Sequence, residues 1–127
     1  MPAYDDDGFA PPAPVARVEP RHPESGASLS DVRMLIDSGA DATLLPGSAV
    51  EPLGLSATGD RYLLESFDGT PRESEAVQAV LVFLGKSFRG RFLKGESEAG
   101  IIGRNVLNHV RILLDGPALS WDESPSM

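Results

Sequence analysis

The chain carries the stretch Met34-Leu35-Ile36-Asp37-Ser38-Gly39-Ala40-Asp41. Three apolar residues lead into an acid, a hydroxyl and a glycine, which predicts a buried strand that ends in a tight turn. Gly39 lets the backbone of that turn pass close to another group, because glycine has no Cβ. A carboxylate at the end of a buried strand is costly unless it is hydrogen-bonded or shares its charge with a partner. One partner that fits Asp37 is the same residue of a second copy of the chain.

Length and composition indicate one globular domain that is rich in turns. The chain has 127 residues, of which 41% are hydrophobic and 24% charged, and these values are ordinary for a single globular domain. Its 13 glycines and 11 prolines predict many turns and favour an all-β fold.

Charge, cysteine content and apolar runs exclude several classes of function. The formal net charge of −8 argues against binding to a nucleic-acid backbone, which needs clustered Lys and Arg. Because the chain has no cysteine, disulfides, thiol catalysis and thiolate metal sites are excluded. The apolar runs are far shorter than a membrane span, and the N-terminus is acidic where a signal peptide would be basic. We therefore expect a cytoplasmic protein that does not associate with membranes.

The composition divides the chain into three segments. Residues 1–14 contain four prolines, three consecutive aspartates and no basic residue, which predicts a disordered acidic tail. Residues 15–122 are expected to form the folded domain, and residues 123–127 a frayed C-terminus.

Short apolar runs separated by turn residues predict a small β-barrel or sandwich. Asp68-Gly69 lies between two extended runs and is the strongest hairpin signal in the chain. The polar arms of that hairpin predict that it projects and moves. The expected short helices are 48–53, cut off by Pro52 and Gly54, and 104–109. The expected strands are 14–18, 29–36, 43–45, 60–67, 78–84, 87–93, 110–114 and 118–121.

In their order and spacing, these motifs resemble the retropepsin-like aspartic proteases, and most of all the short, single-domain, retroviral-type branch. The resemblance covers residues 29–121, and no single motif is decisive. It rests on the apolar run into Asp-Ser-Gly-Ala at 37–40, the hairpin, the stretch Ile-Ile-Gly-Arg-Asn-Val-Leu-Asn at 101–108 and a closing strand. The turn at 113–117, Leu-Leu-Asp-Gly-Pro, resembles that of bacterial members.

The resemblance implies an all-β fold, a small closed β-barrel of the acid-protease type with a flap hairpin and one short C-terminal helix. It also implies that each chain supplies one catalytic aspartate. Since this chain has a single Asp-Ser-Gly, an active enzyme would be a homodimer with its site on the two-fold axis. No metal and no cofactor would be needed.

The resemblance also assigns roles to individual residues. Asp37 would be the catalytic acid, and the hydroxyl of Ser38 would bond across the dimer axis. Gly39 would give the substrate backbone room and offer its carbonyl. Asp41 and Arg104 would form an ion pair beneath the active turn.

The remaining assignments concern substrate contact and structural support. The substrate-binding and flap residues would be Ala40, Asp41, Ser66, Phe67, Asp68, Gly69 and Thr70. The supporting residues would be Ile101, Ile102, Gly103 and Arg104. The flap tip departs from the family pattern, because it has one glycine and a charge where the family has a glycine-rich tip.

The implied function is an aspartic endopeptidase that hydrolyses peptide bonds in extended polypeptides. Two carboxylates held about 3 Å apart would share one proton and activate a water molecule. A catalytically silent barrel that serves as a dimerisation or peptide-binding module is the alternative. A third possibility is a mainly monomeric chain that dimerises at low pH, because its net charge of −8 opposes association at neutral pH. The candidates for the terminal strands of a dimer sheet are residues 15–18 and residues 119–121.

Overall fold

The structure is a computed structural model, and it describes residues 2–65 and 71–125 of the chain. The described residues form nine strands and two short helices. In chain order they are β1 (Val15–Arg21), β2 (Val32–Ile36), β3 (Leu44–Pro46), α1 (Gly47–Leu53), β4 (Ala57–Glu65), β5 (Pro71–Phe83), β6 (Lys86–Gly95), β7 (Gly100–Ile102), α2 (Arg104–Leu107), β8 (Ile112–Asp115) and β9 (Ser120–Glu123).

Six of these strands close into a barrel, which confirms the predicted fold class. Their order around the ring is β1-β2-β7-β3-β6-β5, and β5 pairs back to β1 through Glu19–Arg21 to complete it. β4 lies outside the ring, on the far edge of β5, and β8 and β9 form a separate two-stranded sheet. Closure leaves few free strand edges, which suits a small domain that buries one core.

The core follows from the two-residue period of the strands. Along β5, Val77, Ala79, Leu81 and Phe83 are buried at every second position and face the interior. They pack with Met34, Ile36, Leu45, Phe92, Ile102, Val106 and Trp121. Apolar alternation therefore decides which face of each strand lines the barrel.

The strand that positions the site is β7, which lies between β2 and β3. It runs parallel to β2, with Ile36 opposite Ile102, and antiparallel to β3, with Leu44 opposite Ile101. The chain therefore leaves a gap between β2 and β3 that a much later segment fills. Because β2 and β7 are parallel, their carboxyl ends meet at one edge, where Asp37 and Gly103 follow.

The helices differ slightly from expectation. α1 continues through Pro52 to Leu53, so Pro52 does not stop the helix, whereas Gly54 does cap it with a left-handed backbone (φ 61°). α2 ends at Leu107 rather than at residue 109. Among the described residues, no helix has the length and apolar character to cross a membrane.

The predicted hairpin is formed by β4 and β5. Their antiparallel register brings Glu65 opposite Pro71. Because this pairing extends toward the tip, β5 begins at Pro71, seven residues before the predicted strand. The proposed tip, residues 66–70, lies outside the described residues.

The N-terminal segment differs from the predicted disordered tail. The Tyr4 amide donates to the Leu119 carbonyl at 2.7 Å, and the Trp121 amide donates to the Pro2 carbonyl at 2.9 Å. The carboxylate of Asp5 lies 2.7 Å from the guanidinium of Arg33. Composition indicated disorder because it does not reveal these long-range partners. At the other end, Glu123 belongs to β9, inside the stretch expected to fray.

Asp5 makes the docking of this segment depend on pH. The backbone N–H of Asp7, which donates to the Asp5 carboxylate at 2.8 Å, and the Arg33 guanidinium hold the pKa of Asp5 below its ordinary value, against the opposing effect of desolvation. A carboxyl whose pKa is lowered by folding binds more protons in the unfolded chain. Its contribution is therefore present above the unfolded pKa and is lost as the pH falls through the folded one.

We expect Asp5→Asn to lower the thermal unfolding midpoint at pH 7. The difference between the midpoints of wild type and Asp5→Asn should become smaller as the pH approaches 3. Fluorescence of Trp121, the single tryptophan, measures this. Asp6→Asn is the matched control, since it makes the same change at an exposed neighbour. An Asp5→Asn gap that stays constant over this range would contradict the assignment.

Candidate functional site

The Asp37 turn is closed by three hydrogen bonds. Its amide donates to the Ile102 carbonyl at 3.1 Å, which ties the end of β2 to the end of β7. Its carbonyl accepts from the Ala40 amide at 3.2 Å, and its Oδ1 accepts from the Gly39 amide at 2.9 Å. The Asp37 side chain is half-buried, whereas Ser38 and Gly39 are exposed. The turn thus holds one carboxylate in a fixed direction at the surface.

Gly39 lies close to the Asp37 carboxylate. A Cβ at this position would lie 3.1 Å from Asp37 Oδ1, which is tighter than an ordinary contact. Glycine therefore lets the carboxylate fold back onto the turn.

Thr43 supports the turn from beneath, and sequence reasoning missed it. Its fully buried hydroxyl accepts from the Gly103 amide at 3.0 Å and donates to the Asn105 side-chain carbonyl at 2.7 Å. Its own carbonyl accepts from the Leu93 amide at 3.0 Å. The available signal was a hydroxyl at the start of a short apolar strand, because such a group needs partners once buried.

Gly103 brings the supporting segment against the turn. A Cβ there would lie 2.3 Å from the Ala42 carbonyl oxygen and 3.0 Å from that of Ala40. The next residue, Arg104, donates its amide to the Ala40 carbonyl at 2.8 Å. The absence of a side chain at 103 is what allows the two backbones to pack.

Arg104 supports the turn by a different contact from the one expected. Its Nη1 donates to the Ser38 carbonyl at 2.8 Å. In the described part of the chain, Arg104 and Asp41 form no ion pair within 4 Å, so the expectation of an ion pair between them is wrong. Asp41 is exposed, and an ion pair between exposed groups would add little stability here.

The structure brings together two of the predicted groups. Residues 37–41 and 101–104 meet where β2, β3 and β7 adjoin, with Ile102 buried and Ile101 half-buried behind the turn. The predicted flap residues 66–70 lie outside the described residues. Within residues 2–65 and 71–125, the acids and histidines form no cluster that could hold a metal ion.

Comparison with known proteins gives a likeness of fold. No protein-family model and no curated protein sequence matches the chain. Among solved structures, the chain is similar to the EIAV protease complexed with the inhibitor HBY-793, at 20% identity and a TM-score of 0.57. The match covers 76% of this chain and 86% of that one. The barrel therefore has a retropepsin-like fold.

We expect Thr43→Val to destabilise the protein by about 1–3 kcal/mol, because it leaves the Gly103 amide buried without an acceptor. Urea unfolding measures the loss. Thr43→Ser keeps the hydroxyl and is the control, with a clearly smaller loss. Unfolding of Thr43→Val at the same urea concentration as wild type would show that the hydroxyl does not hold Gly103 in place.

We expect Gly103→Ala to cost at least about 2 kcal/mol, because the new Cβ overlaps a backbone oxygen that cannot move alone. Gly90→Ala is the matched control, since a Cβ there meets no heavy atom within 4 Å. That change is expected to stay within about 1 kcal/mol of wild type. Similar unfolding midpoints for the two variants would show that the backbones are not in contact at residue 103.

Proposed function

We propose that the protein is an aspartic endopeptidase whose active site forms between two copies of the chain. The observation that carries the proposal is the placement of Asp37. It is a half-buried carboxylate on an Asp-Ser-Gly turn that β7 and Thr43 hold from behind. The likeness of fold to the EIAV protease supports the same reading.

In the proposed reaction, two Asp37 carboxylates face each other across a two-fold axis. Two carboxyl groups about 3 Å apart cannot both ionise easily, because their negative charges repel, so the pair shares one proton. The ionised member takes a proton from a water molecule, which attacks the scissile carbonyl carbon. The protonated member donates to the carbonyl oxygen, and collapse of the tetrahedral intermediate with proton transfer to the nitrogen breaks the C–N bond.

The neighbouring residues would orient the reacting groups. Gly39 leaves space for an extended peptide backbone, and the exposed Ser38 hydroxyl is available to a partner across the axis. Arg104 fixes the Ser38 carbonyl, so the turn does not have to reorganise during the reaction. The long hairpin of β4 and β5 would close over the peptide and exclude water, with residues 66–70 as the flap tip.

The test compares cleavage of a fluorescently labelled unfolded protein by wild type and Asp37→Asn between pH 4 and 7.5. We expect wild type to cut and Asp37→Asn to lose activity by at least about a thousandfold, since the amide cannot exchange the proton. Asp31→Asn is the matched control, because it makes the same change on an exposed residue before β2 and is expected to keep full activity.

Two results would contradict the proposal. Equal cleavage by wild type and Asp37→Asn would show that Asp37 is not the catalytic acid. No cleavage by a wild-type protein that sediments as a dimer would favour the alternative, a barrel that binds peptides or dimerises without cutting.

A further inference from the structure

The hairpin of β8 and β9 leaves one strand edge unpaired. Among the described strands β8 pairs only with β9, and its Leu113 and Leu114 are 54% and 51% exposed. The second edge of β9 is covered by the chain's own N-terminal segment, through the bonds of Leu119 with Tyr4 and of Trp121 with Pro2. The outer edge of β8 therefore combines free backbone groups with exposed apolar side chains, which is a surface that a further strand can extend.

The hydrogen bonds to β9 fix which groups of β8 face outward. The Ser124 amide donates to the Arg111 carbonyl at 2.8 Å, so this pair is hydrogen-bonded. Because bonding alternates along an antiparallel ladder, Leu113 and Asp115 also bond toward β9. The N–H and C=O groups of Ile112 and Leu114 then point to the free edge.

A second β8 can satisfy all four of these groups in one arrangement. Outward-facing residues must lie opposite outward-facing residues, so a two-fold axis has to pass through a residue and not between two. Centred on Leu113, the axis places Ile112 opposite the partner's Leu114, and both residues exchange their backbone bonds. Centred on Ile112 or Leu114, it leaves one of the two without its match.

The same register is favoured by charge. It places Arg111 opposite the partner's Asp115, and symmetry repeats this contact at the other end of the strand. Among the described residues, Arg111 forms no ion pair within 4 Å. Within residues 2–65 and 71–125, β4 also has an unpaired edge, but its Arg61 already lies 3.8 Å from Glu73 within the hairpin.

We propose that a second copy of this chain docks on β8, in antiparallel register about Leu113, to form one continuous sheet. The inference rests on the proposed function, which requires a homodimer, and it names the contact surface. The two stretches expected to form a dimer sheet are already paired within the chain. Residues 15–18 pair with β2, and residues 119–121 contact the N-terminal segment and, from residue 120, pair with β8.

Single cysteines test the register, because the chain has none of its own. At the axis, the two Cα atoms of residue 113 would be about 4.5 Å apart, within the range of a disulfide. Two copies of residue 112, or of residue 114, would be about 7–8 Å apart on the diagonal, which is too far. We expect Leu113→Cys to cross-link under mild oxidation and Ile112→Cys and Leu114→Cys to do so at least about tenfold more slowly.

The cross-linking is done in an Asp37→Asn background, so that it reports association and not activity. A disulfide that forms fastest at 112 or 114, or at none of the three positions, would overturn the proposed register. If wild type cleaves substrate but Leu113→Cys does not cross-link, the proposed contact surface is wrong and the proposed function stands. If Leu113→Cys cross-links but wild type does not cleave, the contact surface stands and the proposed function is wrong.

Sedimentation equilibrium gives a second readout that needs no oxidation. Arg111→Glu places like charges opposite each other twice, and we expect it to weaken dimerisation by about tenfold. Adding Asp115→Arg restores opposite charges and should recover most of that loss. Arg89→Glu on β6 is the control and should leave the dimer unchanged. Weakening by Arg111→Glu that Asp115→Arg does not reverse would contradict the pairing.

Discussion

The Asp37 turn is held by a strand from the other end of the domain. β7 lies between β2 and β3, and the Thr43 hydroxyl, just before β3, accepts from the Gly103 amide, just after β7. The turn's own residues supply only short-range bonds, and β7 adds the bond from the Asp37 amide to the Ile102 carbonyl. The geometry of the carboxylate therefore depends on barrel closure, and barrel closure depends on burial of Met34, Ile102 and their neighbours.

Close packing of the backbones leaves no room for a side chain at two positions beside the site. Gly103 has no room for a Cβ against the Ala42 carbonyl, and Gly100 in β7 has none against the Leu44 carbonyl, where the distance would be 2.5 Å. These glycines act through close packing of backbones and not through unusual dihedral angles. A rigid turn is what an acid–base pair needs, since small displacements of reacting groups are costly in rate. The fold thus prepares half of a proposed site and leaves the other half to a partner.

Much of this arrangement could be predicted from the sequence. Three features are local patterns: the apolar run into Asp37, the run at 101–103 and the Asp-Gly hairpin signal. The structure brings the first two together where β2 pairs with β7. Thr43 could not be assigned, because its partners are sixty or so positions away and no short-range rule names them. The N-terminal segment looked disordered for the same reason, since its hydrogen-bond partners lie at the opposite end of the chain. Arg104 was placed in the correct region, but its choice of the Ser38 carbonyl over Asp41 depends on side-chain geometry.

In the proposed enzyme each chain supplies half of one active site, and a subunit-mixing experiment can show this. Wild type and Asp37→Asn are combined in varying proportions at constant total concentration, and cleavage is measured after the subunits have exchanged. If a site needs one Asp37 from each chain, activity falls with the square of the wild-type fraction, to about one quarter in an equal mixture. A linear fall, to about one half in an equal mixture, would show that each chain acts alone and would rule out a shared site.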